Sequence, residues 1–211
     1  AWETVLEESL GSFYLPLYKK AKQAGKETAW DFVEDDPKLP RVLLIGDSIS
    51  RGYTAPTRHA LVGKMNVHRA PENCGPTKRG LEKLDLWLGE GRWDAIHFNF
   101  GIHDRNTPPE EYEKRLEAIV NRLQQTKAKL IWASTTPISP GTPNIEVGSS
   151  ARANEIAAKV MRRHGIPVND LYAHAKPTLA QHQRPKDCHF NQAGYEHLGA
   201  KVAEAILEEL D

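Results

Sequence analysis

Short apolar runs alternate with amphipathic stretches along most of the chain. The runs that we predict as β-strands fall at residues 41–45, 65–69, 95–100, 130–134 and 166–168. Each is short and rich in apolar residues, which is typical of a strand buried on both faces. The last amphipathic stretch begins near Asn191 and carries apolar residues at four-residue steps from Leu198 to Leu210, which predicts a helix. Strands that alternate with helices indicate a parallel sheet covered on both faces, since parallel pairs need crossover connections.

The first 38 residues differ from this pattern. Val5, Leu6 and Leu10 lie near helical spacing, and several aromatic residues follow them. Pro16 and Gly25 are expected to interrupt any long helix in this region. We therefore predict a helical N-terminal extension, residues 1–38, packed on a main domain of residues 39–211. The alternative is that the extension contributes to a substrate cleft or to an oligomer contact.

Polar residues mark several of the expected helix starts. Thr107 stands directly before a pair of prolines and three residues before Glu110. This order predicts an N-cap, a proline at the first helical position and a capping-box acid. Thr77 and Asp170 are likewise interpreted as helix caps.

Charge and composition exclude several classes of protein. The 211 residues include 28 Lys+Arg and 28 Asp+Glu, so the formal net charge is zero. That balance argues against a nucleic-acid binder and against a polybasic membrane-surface protein. No apolar run approaches the roughly 20 residues that a membrane span needs. The chain also lacks Gly-x-Gly-x-x-Gly, Walker and His-Glu-x-x-His patterns, so we predict neither a nucleotide cofactor nor a metal.

Candidate chemistry lies at the predicted carboxyl ends of the strands, where ligands of parallel sheets bind. Ser48 follows the first strand at the start of a helix, where free N–H groups suit a developing oxyanion. The alternative is that Ser48 or Ser50 only caps that helix. Before the last helix, Asp187 stands two residues from His189. A carboxylate beside an imidazole can serve as the base for a serine, so the pair and Ser48 form a nucleophile–base arrangement.

At this point the sequence resembles the SGNH/GDSL hydrolases, serine esterases on a flavodoxin-like sheet, from about residue 41 to the end. The motifs that carry the resemblance are Gly46-Asp47-Ser48, Cys74-Gly75-Pro76-Thr77 with Gly80-Leu81, Gly101-Ile102-His103-Asp104 and Asp187-Cys188-His189. The resemblance implies an α/β three-layer sandwich with about five parallel strands. It implies that Ser48 is the nucleophile, His189 the base and Asp187 the acid. The N–H groups of Ser48 and Gly75 would form an oxyanion hole.

Two departures from the family pattern leave alternatives open. His103 stands where the family usually has an asparagine that donates to the oxyanion, and Asn99 lies two residues before Gly101. Either side chain can complete the oxyanion hole, and we slightly favour Asn99. Asp187 precedes His189 by two residues instead of the usual three. A Ser48–His189 dyad held by a backbone carbonyl therefore stays open, whereas Asp170 is a less favoured acid.

The resemblance implies an ester substrate, with acetylated carbohydrate as the leading class. Polar residues near Ser48, among them Arg51 and Asn73, favour a hydroxyl-rich or anionic substrate, small or oligosaccharide, over a lipid. A lysophospholipase or thioesterase, or an inactive carbohydrate-binding relative, is the alternative.

The two cysteines, Cys74 and Cys188, fall on the second and last of the resembling motifs. They are either two unlinked buried thiols, which we prefer, or a disulfide between two loops that border Ser48. The disulfide would favour a periplasmic or secreted protein.

Overall fold

The computed structural model describes residues 2–211 and contains a five-stranded parallel sheet in the order β2-β1-β3-β4-β5. The strands are β1 (Arg41–Ile45), β2 (Asn66–Arg69), β3 (Ala95–Phe98), β4 (Lys129–Ala133) and β5 (Val168–Asn169). All five expected strands are present, with ends that differ from the prediction by at most two residues. The largest consequence is at β3, which stops at Phe98, so that Asn99 belongs to the loop at the carboxyl edge.

Helices cover both faces of this sheet, which confirms the predicted three-layer α/β fold. They are α1 (Trp2–Ser9), α2 (Gly11–Gln23), α3 (Ser48–Ala60), α4 (Thr77–Leu88), α5 (Pro109–Gln124), α6 (Ser149–His164), α7 (Leu171–Ala175), α8 (Leu179–His182) and α9 (Gln192–Leu210). Alternate residues of a strand point to opposite faces. Leu43 and Ile45 accordingly join the core under α4, α5 and α6, whereas Val42 and Leu44 join the core under α3, α7 and α9.

No helix within residues 2–211 has the length and apolar character that crossing a lipid bilayer requires.

The region before the sheet forms two helices with a small core of their own. Leu6, Leu10, Tyr18 and Trp30 are buried together there. The segment after α2 contacts the rest of the chain through Arg58, whose Nη1 donates to the Thr28 carbonyl oxygen at 3.1 Å. The expected interruption at Pro16 is wrong, because α2 continues through that proline. The helix does end before Gly25, which has a left-handed φ of 65°.

Asp104, in the loop after β3, explains why two helix starts differ from expectation. Its carboxylate accepts hydrogen bonds from the Thr77 backbone N–H at 2.8 Å and from the Thr77 hydroxyl at 2.5 Å. Thr77 is therefore the first residue of α4 and not its cap. The Thr107 hydroxyl also contacts Asp104, at 3.3 Å, and α5 begins only at Pro109. The predicted cap at Asp170 is present, since its side chain accepts from the Ala173 N–H.

Candidate active site

The strand order places a topological switch point between β1 and β3, because β2 lies on one side of β1 and the chain then crosses over to place β3 on the other side. Ligands of open parallel sheets bind in the crevice at such a point. The loop after β1 carries Asp47, which caps α3 by accepting from the Ile49 N–H at 2.9 Å. Because Asp47 is the cap, the alternative role for Ser48 and Ser50 is wrong. Ser48 opens α3 with one of the N–H groups that have no intrahelical partner.

A chain of hydrogen bonds connects Ser48 to the other end of the sequence. Ser48 Oγ lies 2.8 Å from His189 Nε2, and His189 Nδ1 lies 2.7 Å from Asp187 Oδ1. Asp187 Oδ1 also accepts from the backbone N–H of His189 at 3.1 Å. Burial alone would raise the pKa of Asp187, but the hydrogen bonds from His189 outweigh it and lower that pKa. An ionised Asp187 favours the tautomer with the proton on Nδ1, which leaves Nε2 free to accept from Ser48.

The loop that carries this histidine is closed on itself. Gln183 pairs with Phe190 in an antiparallel bridge, and the Arg184 N–H donates to the His189 carbonyl oxygen at 2.9 Å. Gln183 Nε2 anchors the loop by donating to the carbonyl oxygens of Pro137 and Cys188 at 2.8 and 3.0 Å. The closed loop brings the Asp187 side chain within reach of the His189 ring despite the two-residue spacing.

Gly75 lies in the loop after β2, next to the loop that carries Ser48. The Cys74 N–H donates to the Gly46 carbonyl oxygen at 3.1 Å, which ties the loop after β2 to the loop that carries Ser48. Gly75 is buried and has a φ of 63°, a left-handed value that favours glycine. Within residues 2–211 its N–H donates to no protein group, so it is available to a substrate oxygen.

The Asn99 side chain, which the sequence analysis slightly favoured over His103 as an oxyanion donor, is bonded to the protein itself. The Asn99 side-chain amide is buried and donates to the Ala133 carbonyl oxygen at 2.7 Å and to Thr135 Oγ1 at 3.1 Å. Both amide hydrogens are thus used to fasten the end of β3 to the end of β4. His103 instead lines the same cleft as Ser48 and His189. Its Nε2 lies 3.9 Å from Asp47 Oδ2, which is beyond hydrogen-bond distance.

Arg69 is a structural residue of the site that the sequence analysis did not assign. It is 3% exposed, and its Nη2 donates to the carbonyl oxygens of Gly46 and Asp47 at 3.0 and 2.9 Å. Its Nη1 donates to the carbonyl oxygens of Ala70 and Glu72 at 3.1 and 2.7 Å. One guanidinium therefore holds the Ser48 loop against the Gly75 loop. Its signal in the sequence is a charged residue at the end of a strand that is otherwise buried.

A cleft of about 840 Å³ opens above these groups. It is lined from the main domain by Ser48, His103 and His189 and from the N-terminal region by Phe13, Tyr14 and Trp30. The N-terminal extension therefore contributes to the cleft, which is one of the alternative roles that the sequence analysis gave it. Arg51 lines the cleft as predicted. Asn73 does not line it, and its buried Oδ1 has no hydrogen-bond partner.

The structure contains no bond between Cys74 and Cys188, so the disulfide alternative is wrong. Cys74 is fully buried in the core under α4, whereas Cys188 faces the cleft. Burial raises the pKa of Cys74 to about 12 and that of Cys188 to about 11, so both are thiols at neutral pH. The argument for a periplasmic or secreted location depended on this disulfide and therefore no longer holds.

Three neighbouring residues of the loop that carries His189 are also candidate metal ligands. The ligand atoms of Asp187, Cys188 and His189 lie within 4.8 Å of one another. Burial raises the pKa of the Cys188 thiol to about 11, so a metal would have to displace its proton before it bound the sulfur. Both ring nitrogens of His189 are already hydrogen-bonded to Ser48 and Asp187. The donor set fits proton transfer better than metal binding.

The family model of the GDSL-like lipase/acylhydrolase family matches residues 44–197, which is more than half of the chain. The chain belongs to this family. This match confirms the family predicted from the sequence motifs, the SGNH/GDSL hydrolases. The chain is therefore a hydrolase. The residues matched by the family model include Ser48 and His189.

Solved structures share the fold of this GDSL-like chain at low sequence identity. A lipase/acylhydrolase from Enterococcus faecalis is 22% identical, covers 82% of this chain and 98% of its own, and has a TM-score of 0.73. The acetylxylan esterase Axe2 from Geobacillus stearothermophilus is 16% identical, covers 81% and 94%, and has a TM-score of 0.66. The acetyl xylan esterase AlAXEase is 17% identical, covers 79% and 99%, and has a TM-score of 0.68. No curated protein matches the chain.

Proposed function

We propose that this GDSL-like hydrolase is a serine esterase that removes short acyl groups, acetyl foremost, from carbohydrate. Ser48 is the nucleophile, His189 the general base and Asp187 the group that orients it. The observation that carries the proposal is the unbroken hydrogen-bonded chain from Ser48 Oγ through the His189 ring to Asp187. Replacing Ser48 by alanine tests it, because the change removes the attacking oxygen.

In the proposed reaction, His189 Nε2 takes the proton from Ser48 Oγ as that oxygen attacks the ester carbonyl carbon. The oxyanion accepts hydrogen bonds from the N–H groups of Ser48 and Gly75 and from the His103 ring. His189 then gives its proton to the departing alcohol oxygen, and the acyl group stays on Ser48. A water molecule loses its proton to His189 and attacks the acyl carbon, which releases the acid and restores Ser48.

The cleft supports a carbohydrate alcohol. Its wall from the extension presents aromatic rings, and Phe13 is 69% exposed. The C–H faces of sugar rings can pack on such aromatic surfaces. Two of the similar solved structures are acetylxylan esterases, which is consistent with acetyl transfer to water.

A longer acyl chain is the second candidate, because Leu17 lies beside Phe13 in the cleft and is 47% exposed. This apolar pair also fits the acyl part of a lysophospholipid or a thioester. A panel of esters from acetyl to long acyl, on sugar and on simple alcohols, separates the two. Preference for acetylated sugars supports the first candidate, and preference for long acyl chains supports the second.

Phe13→Ala should raise KM for an acetylated xylooligosaccharide about fivefold with little change in kcat, because the lost ring binds substrate away from the reacting ester. Steady-state kinetics measure the split. Phe32→Ala is the matched control, since Phe32 is 70% exposed but lines a different cavity. Equal effects of the two changes would contradict a role of the extension in sugar binding.

His103→Leu should lower kcat about a hundredfold, because one oxyanion donor is lost. His103→Asn restores a donor of the kind usual in the family and should recover most of that loss.

Asn99→Ala should instead lower the urea midpoint by the equivalent of about 1–2 kcal/mol, because it removes the amide that donates to the Ala133 carbonyl. The kcat of the folded Asn99→Ala protein should stay near that of the wild type. The reverse outcome, a loss of kcat on the Asn99 change alone, would return the oxyanion role to Asn99.

A further inference from the structure

The cleft above Ser48 is rich in positive charge although the chain as a whole is neutral. Arg51, Arg105 and Arg184 line it, together with one carboxylate, Glu27. Glu27 already has a partner, since its Oε2 lies 2.6 Å from His59 Nε2. The cleft therefore presents three guanidinium groups to a ligand against one carboxylate that is engaged elsewhere.

None of these three arginines forms a salt bridge with a carboxylate in the described part of the chain. Arg105 donates only to the carbonyl oxygens of Asn144 and Ile102, at 3.2 and 3.1 Å. Six arginines outside the cleft do pair with carboxylates: Arg41, Arg79, Arg115, Arg122, Arg152 and Arg163. Four further arginines outside the cleft, Arg58, Arg69, Arg92 and Arg162, also form no salt bridge within residues 2–211. The cleft differs in that all three of its arginines are without a carboxylate partner.

Arg51 is held in the cleft by aromatic rings. Its guanidinium carbon lies 5.5 Å from the Tyr14 ring centroid and 6.0 Å from that of Trp30. Its Nε is buried and has no hydrogen-bond partner in residues 2–211. The cation–π contacts with these rings hold the guanidinium without neutralising its charge. Arg51 can therefore donate hydrogen bonds to an anionic ligand.

Each arginine is fixed to an element that carries a group of the proposed reaction. Arg51 lies one helical turn after Ser48, and its N–H donates to the Asp47 carbonyl oxygen at 3.0 Å. The Arg184 N–H donates to the carbonyl oxygen of His189 at 2.9 Å. Arg105 directly follows the 3-10 helix that contains His103. The three arginines are therefore held on the same segments as Ser48, His103 and His189, and they line the same cleft.

We propose that the sugar ester hydrolysed here carries an oxyanion, a carboxylate or a sulfate, which the Arg51, Arg105 and Arg184 side chains bind. This inference rests on the proposed esterase function and names its substrate class. The planar guanidinium fork matches the paired oxygens of carboxylate and sulfate. No lysine lines the cleft within the described residues, which fits directed pairing better than a diffuse positive surface.

The test compares acetate release from matched pairs of substrates. One pair is an O-acetylated oligogalacturonide and its methyl ester, which is neutral. The other is an O-acetylated sulfated galactooligosaccharide and its desulfated form. The wild type should show a kcat/KM about tenfold or more higher for the anionic member of one pair, which also identifies the anion. That ratio should fall about tenfold in Arg51→Gln and in Arg184→Gln, because a charge-assisted hydrogen bond is lost.

Arg162→Gln is the control, because Arg162 is exposed on α6, outside the cleft, and without a carboxylate partner. It should leave the ratio unchanged. High salt should lower the ratio in the wild type, because ions screen the attraction. Equal kcat/KM within both pairs, or ratios that the two cleft changes do not alter, would overturn the proposal.

Binding separates this inference from the esterase proposal. Calorimetry with Ser48→Ala and the deacetylated oligogalacturonide or sulfated oligosaccharide needs no catalysis. If the wild type hydrolyses no ester, the esterase function fails, and binding that Arg51→Gln weakens about tenfold still supports an anion site. If esters are hydrolysed but neither anion binds more tightly than its neutral counterpart, the anion site fails alone.

Discussion

Ser48→Ala should lower kcat/KM for 4-nitrophenyl acetate by about 10⁴-fold or more, to the level that binding and the oxyanion hole alone can support. The substitution removes the proposed attacking oxygen, which lies 2.8 Å from His189 Nε2. It leaves the backbone N–H at position 48 and that of Gly75 in place. Within residues 2–211 the Ser48 hydroxyl is hydrogen-bonded to His189 alone. The melting temperature should therefore change little while activity is lost.

A covalent label gives the same prediction a second measurement. An organophosphonate ester should add one mass increment to the wild type and none to Ser48→Ala, read by intact-mass spectrometry. Ser12→Ala is the matched control, because Ser12 is an exposed serine on α2. It should keep both turnover and labelling. Undiminished turnover in Ser48→Ala, or a label that persists there, would remove Ser48 from the reaction and with it the proposed function.

The fold could be predicted from the sequence because burial and periodicity are local signals. The run from Arg41 to Ile45 is buried on both faces of the sheet, and the apolar spacing of the last helix faces the core. The order of the motifs also predicted Ser48, Asp187 and His189 as neighbours. The loop after β1 carries Ser48 at the carboxyl edge of the sheet, and the loop between α8 and α9 brings His189 to it there.

The oxyanion donor could not be predicted from local sequence. Asn99 and His103 both follow β3, and spacing alone gives no reason to prefer the ring. The difference comes from the end of β4, where the Ala133 carbonyl and Thr135 occupy the Asn99 amide. A partner more than thirty residues away in sequence thus decides which side chain is free.

The aromatic wall of the cleft and the structural role of Arg69 could not be predicted from local sequence either. Phe13 and Arg51 line the same cleft because of how α2 docks, which no periodicity encodes. Arg69 and Glu72 are polar residues near Ser48 in the sequence, but they are buried and hold the loops together. Polarity near a nucleophile therefore predicts a polar site without saying which side chains face outward.

Asp187→Asn should lower kcat/KM by about 10²- to 10⁴-fold, and it decides between the triad and a dyad held by a backbone carbonyl. Asp187 Oδ1 accepts from His189 Nδ1 at 2.7 Å, so the carboxylate keeps the ring proton on that nitrogen. An amide can turn its NH₂ group toward Nδ1, which moves the ring proton to Nε2. An imidazole in that form cannot accept the Ser48 proton. Initial rates at neutral pH measure the loss.

Asp170→Asn is the matched control for the same chemical change. Asp170 caps α7, with its Oδ1 accepting from Ala173 N–H at 3.0 Å and from the Ser134 hydroxyl at 2.8 Å. Asparagine caps helices as well as aspartate does, so Asp170→Asn should keep activity within about twofold. Retained activity in Asp187→Asn would establish the dyad, and loss in Asp170→Asn alone would make Asp170 the acid.

Acid pH gives the Asp187 assignment an independent test. Burial would raise the pKa of Asp187, but the His189 hydrogen bonds outweigh it, so the folded pKa lies below the ordinary value. A group with a lowered folded pKa stabilises the fold above its unfolded pKa of about 3.9 and loses that effect as pH falls through the folded value. The wild type should therefore melt higher than Asp187→Asn at pH 7, and the difference should shrink below about pH 4. A difference that stays constant across this range would mean that the Asp187 charge does not hold His189.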